Sequence, residues 1–426
     1  MAAEEVMRIW VIYVGQGDGI LIQLPSKYSY DPDPTDGDNA RTERIDILID
    51  GGSYNEGDKT RMADFLLGLY DRPIIEHVVI THHDSDHVVG LTHIVADTQI
   101  AVQSVYHNGL ATYCRGKRGF SDSTTSTEAV ITRSNNQLNR GMAFLEPDDD
   151  GQGQKLKEAD LVDSRATLAS RLGNSEFRDI YEALARAIVE KEDPFEVDSF
   201  QRCWIGSGFI KERETGLGRA ADMSGIQCRV IWPLERPRKY GDWGETINGN
   251  SLTFRLDYGD FSMLFTGDLN EKSEEKLIGY LAKTNQSDLL NVDVLKVPHH
   301  GSSHGIQAFF DRKDDQGSRV PVVSVASMGA RGFCQSWKHP NPEVIGWLGG
   351  FHRVYHTFIE EKKFKWEDLN SQSRLDGMRE QTHILIETDG RWFRIVEVAV
   401  DGGNIQHPPS VRETRRGDGT RWIEAR

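Results

Sequence analysis

The chain has 426 residues, of which 38% are hydrophobic and 27% are charged, and its formal net charge is −16. This composition excludes a collagen-like, coiled-coil or wholly disordered protein, and the length predicts a core with insertions or a second domain. The acidic balance excludes a surface covered in Lys and Arg for indiscriminate phosphate binding, although a local basic rim still permits contact with nucleic acid.

The cysteines and the N-terminus predict a cytoplasmic protein. Cys114, Cys203, Cys228 and Cys334 lie far apart and form no CxxC pair, so we expect reduced thiols rather than disulfides or a cysteine-based zinc site. The first residues carry acids where a signal peptide carries basic residues. No stretch reaches the roughly 20 apolar residues that a membrane-spanning helix needs, so no membrane partner is expected.

The first 110 residues predict strands with one early helix. Residues 8–14 and 19–24 are rich in Val and Ile and flank the glycines of VGQGDG, so a hairpin is expected. Residues 45–49 form a third strand that ends at Asp50. Apolar side chains at helical spacing predict an amphipathic helix, at Met62, Phe65, Leu66 and Leu69. Residues 74–80 form a buried strand that leads directly into THHDSDH.

The amino-acid composition changes between about residues 115 and 223. Polar residues dominate at first, and a helix is expected around residues 175–191. We interpret this segment as an inserted cap that is not part of the sheet. The alternative for residues 120–165 is a partly disordered surface loop.

Strand character resumes at residues 228–232, 250–257, 261–266 and 292–297. A helix is expected around residues 271–283, and a C-terminal hairpin pairs residues 382–387 with 392–398 around Asp389-Gly390. The expected organisation is a core in two halves at 1–114 and 226–350, an insert at 115–225 and a C-terminal extension at 351–426.

The segment THHDSDH offers four metal ligands within six residues, namely His82, Asp84, Asp86 and His87. A short loop after a buried strand can turn several side chains towards one point, which a regular strand or helix cannot do. Imidazole and carboxylate ligands suit zinc and manganese alike. A polar surface turn is the alternative, but such a turn rarely carries a HxDxDH cluster by chance.

Two later strands also end in residues that bind metals. Asp268 follows the strand at 261–266, and His299 and His300 follow the strand at 292–297. Three strands that each end in such a residue predict a metal site at one edge of a sheet. The sequence does not decide which of His299 and His300 is the ligand, and a buried core histidine is the alternative for one of them.

Five blocks in this order resemble the metallo-β-lactamase superfamily: VGQGD, ILIDGG, THHDSDH, NSLTFRLDYGDFSMLFTGDL and LKVPHHGS. They are most similar to the branch that contains the hydrolase domain of ComEC-type DNA-uptake proteins, over residues 8–110 and 228–345. The resemblance implies an α/β fold, a four-layer αββα sandwich in which two mixed sheets pack face to face between helices. The insertion and the C-terminal extension lie outside it.

The resemblance also implies two divalent ions, Zn²⁺ or Mn²⁺. The implied ligands are His82 and Asp84 for the first ion, Asp86, His87 and one of His299 or His300 for the second, and Asp268 as the bridge. A histidine of the superfamily's third motif is missing, which leaves Asn248 or Asn250 as a weak oxygen ligand and favours the harder ion Mn²⁺.

Other residues are expected to support the ligands or to contact substrate. Asp50, Gln16 and Asp18 would support the metal loop from behind, with a structural turn as the alternative for Asp50. His339, in KHPNP, matches an HP element of the same branch and would contact substrate or protonate the leaving group, with a loop histidine as the alternative. His107 is a weaker cleft candidate. His83, between the ligands, is expected to point away from the site.

The chemistry that these residues predict is hydrolysis by a metal-bound hydroxide, which Asp86 or Asp268 would orient. Two ions lower the pKa of a bridging water and neutralise charge at the attacked centre, which favours a phosphodiester, in nucleic acid above all. One alternative is a small-molecule hydrolase of the same fold that acts on a phosphoester, lactone, thioester or lactam. The other is a non-catalytic binding or regulatory component of a multiprotein system, with protein partners.

Overall fold

The computed structural model describes residues 6–25, 45–52, 58–114, 140–141, 145–147, 153–192, 197–210, 225–306, 309, 312–313, 319–320, 323–326, 341, 344, 347, 353–357, 382–400 and 423–425. The strands among them are β1 (Met7–Val11), β2 (Ile20–Gln23), β3 (Asp46–Ile49), β4 (Ile74–Ile80), β5 (Ala101–His107), β6 (Tyr113–Cys114), β7 (Arg140–Gly141), β8 (Leu145–Pro147), β9 (Gln154–Leu156), β10 (Ser199–Arg202), β11 (Ile226–Trp232), β12 (Thr253–Tyr258), β13 (Phe261–Phe265), β14 (Val294–Lys296), β15 (Arg312–Lys313), β16 (Arg319–Val320), β17 (Val323–Ala326), β18 (Arg353–His356), β19 (Thr382–Thr388), β20 (Trp392–Ala399) and β21 (Ile423–Glu424). The helices are α1 (Arg61–Leu69), α2 (Ser85–Ala96), α3 (Arg165–Gly173), α4 (Asp179–Glu190), α5 (Trp243–Gly249) and α6 (Glu271–Lys283).

The larger sheet has nine strands in the order β10-β5-β4-β3-β2-β1-β19-β20-β21. Strands β3, β4, β5 and β10 run parallel to one another, and the remaining neighbours pair antiparallel. β1 pairs with the C-terminal strand β19 in a register that joins Met7 to Thr388. The C-terminal segment therefore supplies three strands of this sheet, beside the first strand of the chain.

The second sheet has six strands in the order β11-β12-β13-β14-β17-β18. It packs against one face of the larger sheet, because a single buried cluster contains side chains from both. Ile22 and Ile386 of the larger sheet lie in this cluster with Phe254 and Phe265 of the smaller one. The rings of Phe254 and Phe265 stack with centroids 4.7 Å apart. Burial of this apolar surface stabilises the contact between the sheets.

Helices cover the outer face of each sheet. Phe65 of α1, Leu91 of α2 and Leu184 of α4 lie in one buried cluster with side chains of the larger sheet. Leu277 of α6 lies with Leu295 of β14 in the cluster on the outer face of the smaller sheet. The molecule is thus a mixed α/β sandwich, as the sequence predicted for its class. No helix in the described part of the chain has the length and apolar character to cross a bilayer.

The insert is more closely joined to the sheet than its sequence suggested. β10 pairs in parallel with β5, with Phe200 opposite Val105, and α4 packs with α2. Our interpretation of this segment as a cap outside the sheet is therefore wrong for β10. The buried side chain of Phe200 explains the position of β10, because this strand covers apolar surface at the edge of the sheet. Residues 115–139, which fall in the polar stretch, lie outside the described residues.

Several local predictions are confirmed. The expected hairpin at residues 8–24 is formed by β1 and β2, and the C-terminal hairpin by β19 and β20. The helix predicted from Met62, Phe65 and Leu66 is α1, and all three side chains are buried. The helix predicted around residues 175–191 is α4.

Glu274 of α6 is a fully buried carboxyl group whose pKa burial raises to about 8. Its Oε2 accepts a 2.8 Å hydrogen bond from the backbone amide of Ile306. The ordinary pKa is 4.5, so the protonated group stabilises the fold fully below about pH 4.5, and this contribution is lost as the pH rises through about 8. We expect Glu274→Gln, which keeps the acceptor, to stabilise the protein by roughly 1–4 kcal/mol at about pH 9, with a smaller gain at about pH 5.

Urea unfolding of wild type and variant at both pH values measures this difference. Glu275→Gln, at an exposed position on the same helix, is the control and should leave the pH dependence unchanged. A Glu274→Gln variant that loses as much stability between about pH 5 and 9 as wild type would contradict the prediction.

Candidate metal centre

Side chains from the loops after β1, β3, β4, β13 and β14 and from the first turn of α2 come together at one place. Asp86 and His87 lie in that helical turn and not in the loop that the sequence predicted. Histidine and aspartate side chains there form four groups whose ligand atoms lie within 4.8 Å of one another. The groups are His82 with His87 and Asp268, Asp86 with His87 and His300, Asp18 with Asp268 and His300, and Asp18 with Asp50 and His87. The structure therefore brings together residues that are up to 282 positions apart, since the set runs from Asp18 to His300.

Asp268 lies at the middle of this arrangement. Its Oδ2 is 3.3 Å from Nε2 of His300, 3.4 Å from Nε2 of His87 and 3.7 Å from Nε2 of His299. Oδ2 of Asp86 is 3.7 Å from the same nitrogen of His300. The two carboxylates thus share a histidine neighbour, as expected of ligands around common ions.

Two buried carboxylates hold the histidine rings from behind. Asp50 Oδ2 is 2.8 Å from Nδ1 of His87, and Asp18 Oδ1 is 3.5 Å from Nδ1 of His300. A carboxylate at Nδ1 favours the tautomer with its proton there, which leaves the Nε2 lone pair directed into the site. Asp50 and Asp18 thus lie behind the rings of His87 and His300.

One ring nitrogen of His82, Nε2, is buried and has no hydrogen-bond partner among the described residues. The other, Nδ1, lies 3.1 Å from the hydroxyl of Thr81 and 3.4 Å from that of Ser251. A buried polar atom without a partner is costly, and a divalent ion bound by imidazole and carboxylate would satisfy it. The donor set therefore fits a metal ion.

The protonation states of the site follow from burial and mutual charge. Burial and the neighbouring His87 lower the pKa of His82 well below its ordinary value, so this ring is neutral. Burial alone would raise the pKa of Asp268, but His300, His87 and His299 hold it well below its usual range. Burial alone would lower the pKa of His87, but Asp268 and Asp50 raise it well above its ordinary value. A metal ion must displace that proton, so metal affinity should fall as the pH falls.

The structure favours His300 over His299 as the ligand that the sequence left open. Both residues have left-handed backbone conformations, with φ of 46° and 53°, so the tight turn sends consecutive rings in different directions. His300 is 2% exposed and belongs to two of the ligand groups, whereas His299 belongs to none. The side chain of His299 is 18% exposed and lies at the rim beside Asp268.

Asp86 lies at the opening of the site. Its side chain is 17% exposed, more than those of His87, Asp268 and His300. Gln16 donates a 3.2 Å hydrogen bond to Oδ2 of Asp86. The loop after β1 thus contacts the most exposed of these four candidate ligands.

Gly17 allows the loop after β1 to lie close to the backbone of Asp86, in the THHDSDH segment. Its φ is +106°, and a Cβ there would lie 1.6 Å from the backbone oxygen of Asp86. We expect Gly17→Ala to destabilise the fold by about 1–3 kcal/mol from backbone strain, with the clash in addition, and to weaken metal binding. Gly279→Ala is the control, since Gly279 lies in α6 with open space at its Cβ and should gain about 0.5–1 kcal/mol. Thermal unfolding and metal titration that show equal effects for both would contradict this.

Other predicted ligands are not drawn into the groups. Asp84 is the N-cap residue of α2 and joins none of the metal-binding groups within the described part of the chain. The side-chain amide of Asn250 binds backbone atoms of Arg238 and Thr246, and so fastens the loop before it. Asn248 is 9% exposed, and its Oδ1 has no hydrogen-bond partner among the described residues, so it remains the better candidate of the two asparagines.

The remaining histidine candidates have different outcomes. His339 lies outside the described residues. His107 is buried with its ring stacked on Phe200 at 4.0 Å, and burial lowers its pKa to about 3. It therefore lines a small internal cavity and not an open cleft. His83 lines the same cavity and contacts Tyr181, so it points away from the ligands as expected.

Sequence reasoning missed Lys296, Ser251 and Thr81. Lys296 is 1% exposed, and its ammonium contacts the carboxylate of Asp18 and lies 3.8 Å from Oδ1 of Asp268. A lysine at the end of a short apolar strand was the available signal. The hydroxyls of Ser251 and Thr81 are too common in loops to be singled out from sequence.

Comparison with known proteins finds similarity to parts of two longer chains. No family model matches this chain. Over 197 residues, or 44% of the chain, it is 25% identical to "Uncharacterized protein YcaI" of Escherichia coli K12, of which the match covers 22%. Over 120 residues, or 28% of the chain, it is 31% identical to "Competence protein ComA" of Neisseria gonorrhoeae, of which the match covers 15%. The chain thus matches less than a quarter of the length of either protein.

Proposed function

We propose that this chain is a metal-dependent hydrolase of the metallo-β-lactamase fold that cleaves a phosphodiester in nucleic acid. The observation that carries the proposal is the position of Asp268, whose Oδ2 lies within 3.7 Å of Nε2 of three histidines, one from α2 and two from the turn after β14. The sandwich of two sheets between helices and the similarity to part of a competence protein support it.

The site offers one nearly complete set of ligands and one smaller set. Asp86, His87 and His300 would hold one divalent ion, with Asp268 beside His300, and His82 with Asp268 would contribute to a second. Zn²⁺ and Mn²⁺ both suit these nitrogen and oxygen donors. A bound ion would supply a Lewis acid for the attacked group and would acidify the attacking water.

The residues of the chain itself orient that chemistry. Asp50 and Asp18 keep the Nε2 atoms of His87 and His300 directed inward, and Thr81 and Ser251 hold the ring of His82. Asp86, at the opening, would orient the attacking water and accept its proton.

Covalent catalysis by a side chain is not supported in the described part of the molecule. Burial raises the pKa of both the Cys203 and Cys228 thiols to about 12, so neither is a thiolate at neutral pH. Ser251 is fully buried, and its Oγ accepts a 3.0 Å hydrogen bond from the backbone amide of Asp268. In the proposed reaction the nucleophile is therefore water and not one of these three side chains.

Charge at the site favours an anionic substrate once ions are bound. Lys296 offsets Asp18, and once an ion has displaced the proton of His87 the negative groups are Asp50, Asp86 and Asp268. Two divalent ions would more than balance these three carboxylates, so the loaded site would attract a phosphodiester despite the net charge of −16 on the whole chain.

Digestion of nucleic acid tests the proposal. Purified chain with Mn²⁺ or Zn²⁺ is incubated with single-stranded DNA, duplex DNA, RNA, bis-p-nitrophenyl phosphate and a panel of small lactones, thioesters and lactams. Chelator-treated protein is the control. We expect metal-dependent cleavage of at least one polymer. Intact polymers with hydrolysis of a small ester would show a small-molecule hydrolase instead, and bound metal without turnover of any substrate would show a binding protein.

A further inference from the structure

Lys296 places a buried positive charge beside the candidate metal centre. It ends β14, four residues before His300 in the sequence. Its Nζ contacts the carboxylate of Asp18, donates a 2.9 Å hydrogen bond to the carbonyl of Gly267 and lies 3.8 Å from Oδ1 of Asp268. A buried ammonium is costly unless carboxylates and hydrogen bonds satisfy it, so these contacts hold Nζ in one place.

Two carboxylates of the centre each present one oxygen to Lys296 and the other to a histidine. Oδ2 of Asp18 contacts Nζ, while its Oδ1 lies 3.5 Å from Nδ1 of His300. Oδ1 of Asp268 faces Nζ, while its Oδ2 lies 3.3 Å from Nε2 of His300. A carboxylate that is held at one oxygen does not rotate freely. Lys296 therefore sets the direction in which Asp18 presents its other oxygen. Oδ1 of Asp268 has no hydrogen-bond partner among the described residues and is attracted by the charge of Nζ.

We propose that Lys296 is a positioning residue of the metal centre, which orients His300 through Asp18 and attracts Oδ1 of Asp268 by its charge. The inference rests on the proposed function, because it concerns the same site. The proposed role gives a reason for a buried lysine at a position where its positive charge by itself is unfavourable. An ammonium repels a divalent cation, so a lysine beside the ions weakens their binding unless it improves the geometry of their ligands.

A double variant separates position from charge. Lys296→Met alone leaves Asp18 buried without its counter-charge and should lower the melting temperature. Asp18→Asn/Lys296→Met removes one negative and one positive charge, so the net charge near the ions is unchanged. A change in metal affinity in this variant therefore reports the loss of the Asp18–Lys296 pair beside the ligands and not a change in net charge. Lys272→Met is the matched control, at a half-exposed lysine of α6 that pairs with Glu245.

The experiment measures melting temperature, Mn²⁺ affinity by competition with a chromogenic chelator, and the absorption spectrum of bound Co²⁺, all on the full chain. We expect the double variant to regain most of the melting temperature lost in Lys296→Met. Its Kd for Mn²⁺ should still rise about 10- to 100-fold, and its Co²⁺ spectrum should change, because His300 is no longer oriented through Asp18 and Asp268 has lost the charge of Nζ.

The outcomes distinguish the inference from the proposed function. A double variant with the wild-type Kd and Co²⁺ spectrum would overturn the role of Lys296. A double variant that fails to fold would overturn it as well, because the ion pair would then support the fold and not the ligands. Wild-type protein that binds neither ion would refute the proposed function, and the inference with it.

Discussion

Asp268→Asn is expected to abolish metal-dependent hydrolysis while it leaves the fold intact. The substitution keeps the shape of the side chain but removes the charge that faces Nε2 of His87 and His300. Bound metal contributes several kcal/mol to the stabilisation of the transition state, and each 1.36 kcal/mol is a factor of ten in rate. Loss of the shared carboxylate should therefore lower kcat/KM on the order of 10³-fold or more. Phosphodiester hydrolysis and metal content, measured on the same sample, test this.

Asp260→Asn is the control for this experiment. Asp260 is exposed in the turn between β12 and β13, so the same chemical change lies one strand away from the site. We expect wild-type activity and metal content in the control. An Asp268→Asn variant that keeps more than about a tenth of the wild-type kcat/KM would show that this carboxylate is not a ligand.

Asp50→Ala is expected to produce the largest loss of stability. Asp50 is fully buried and accepts hydrogen bonds from the backbone amide of Thr81 at 2.8 Å, from its hydroxyl at 2.5 Å and from Nδ1 of His87 at 2.8 Å. Removal of one partner from a buried ionic network costs about 3–5 kcal/mol. The ring of His87 also loses its orientation, which should weaken metal binding about 10- to 100-fold.

Asp50→Asn tells the two effects apart. The φ of Asp50 is 53°, a conformation that asparagine tolerates better than alanine, and the amide oxygen can still accept from Thr81. We expect this variant to regain most of the stability but not the metal affinity, because the charge against His87 is absent. Denaturant unfolding and metal titration on both variants measure this. Full metal affinity in Asp50→Ala would show that Asp50 is only a turn residue.

The sequence was most informative where several ligand-type residues lie close together in the chain, directly after a strand. HxDxDH after a buried strand predicted that His82, Asp86 and His87 would lie together, and the ends of two further strands predicted that Asp268 and a histidine would join them. These predictions depended on residue type and on the position of strand ends. Neither requires knowledge of how the strands are ordered within the sheets.

Long-range pairing is where the sequence was least informative. Nothing local indicates that the C-terminal strand β19 pairs with β1, because any apolar strand has the same pattern on both faces. For the same reason β10 could not be placed beside β5. The choice between His299 and His300 depends on a left-handed turn that neither residue type predicts. Lys296 could not be assigned, since its partner Asp18 is 278 positions away.

Crystals grown with Zn²⁺ or Mn²⁺ and measured at the absorption edge of the metal test the central claim most directly. An anomalous difference map should contain a peak about 2.0–2.2 Å from Nε2 of His87 and His300 and from carboxylate oxygens of Asp86 and Asp268. The metal should disappear from this position in Asp268→Asn. Well-ordered crystals with no peak among these four side chains, or with the metal bound elsewhere, would contradict the claim that they form a metal centre.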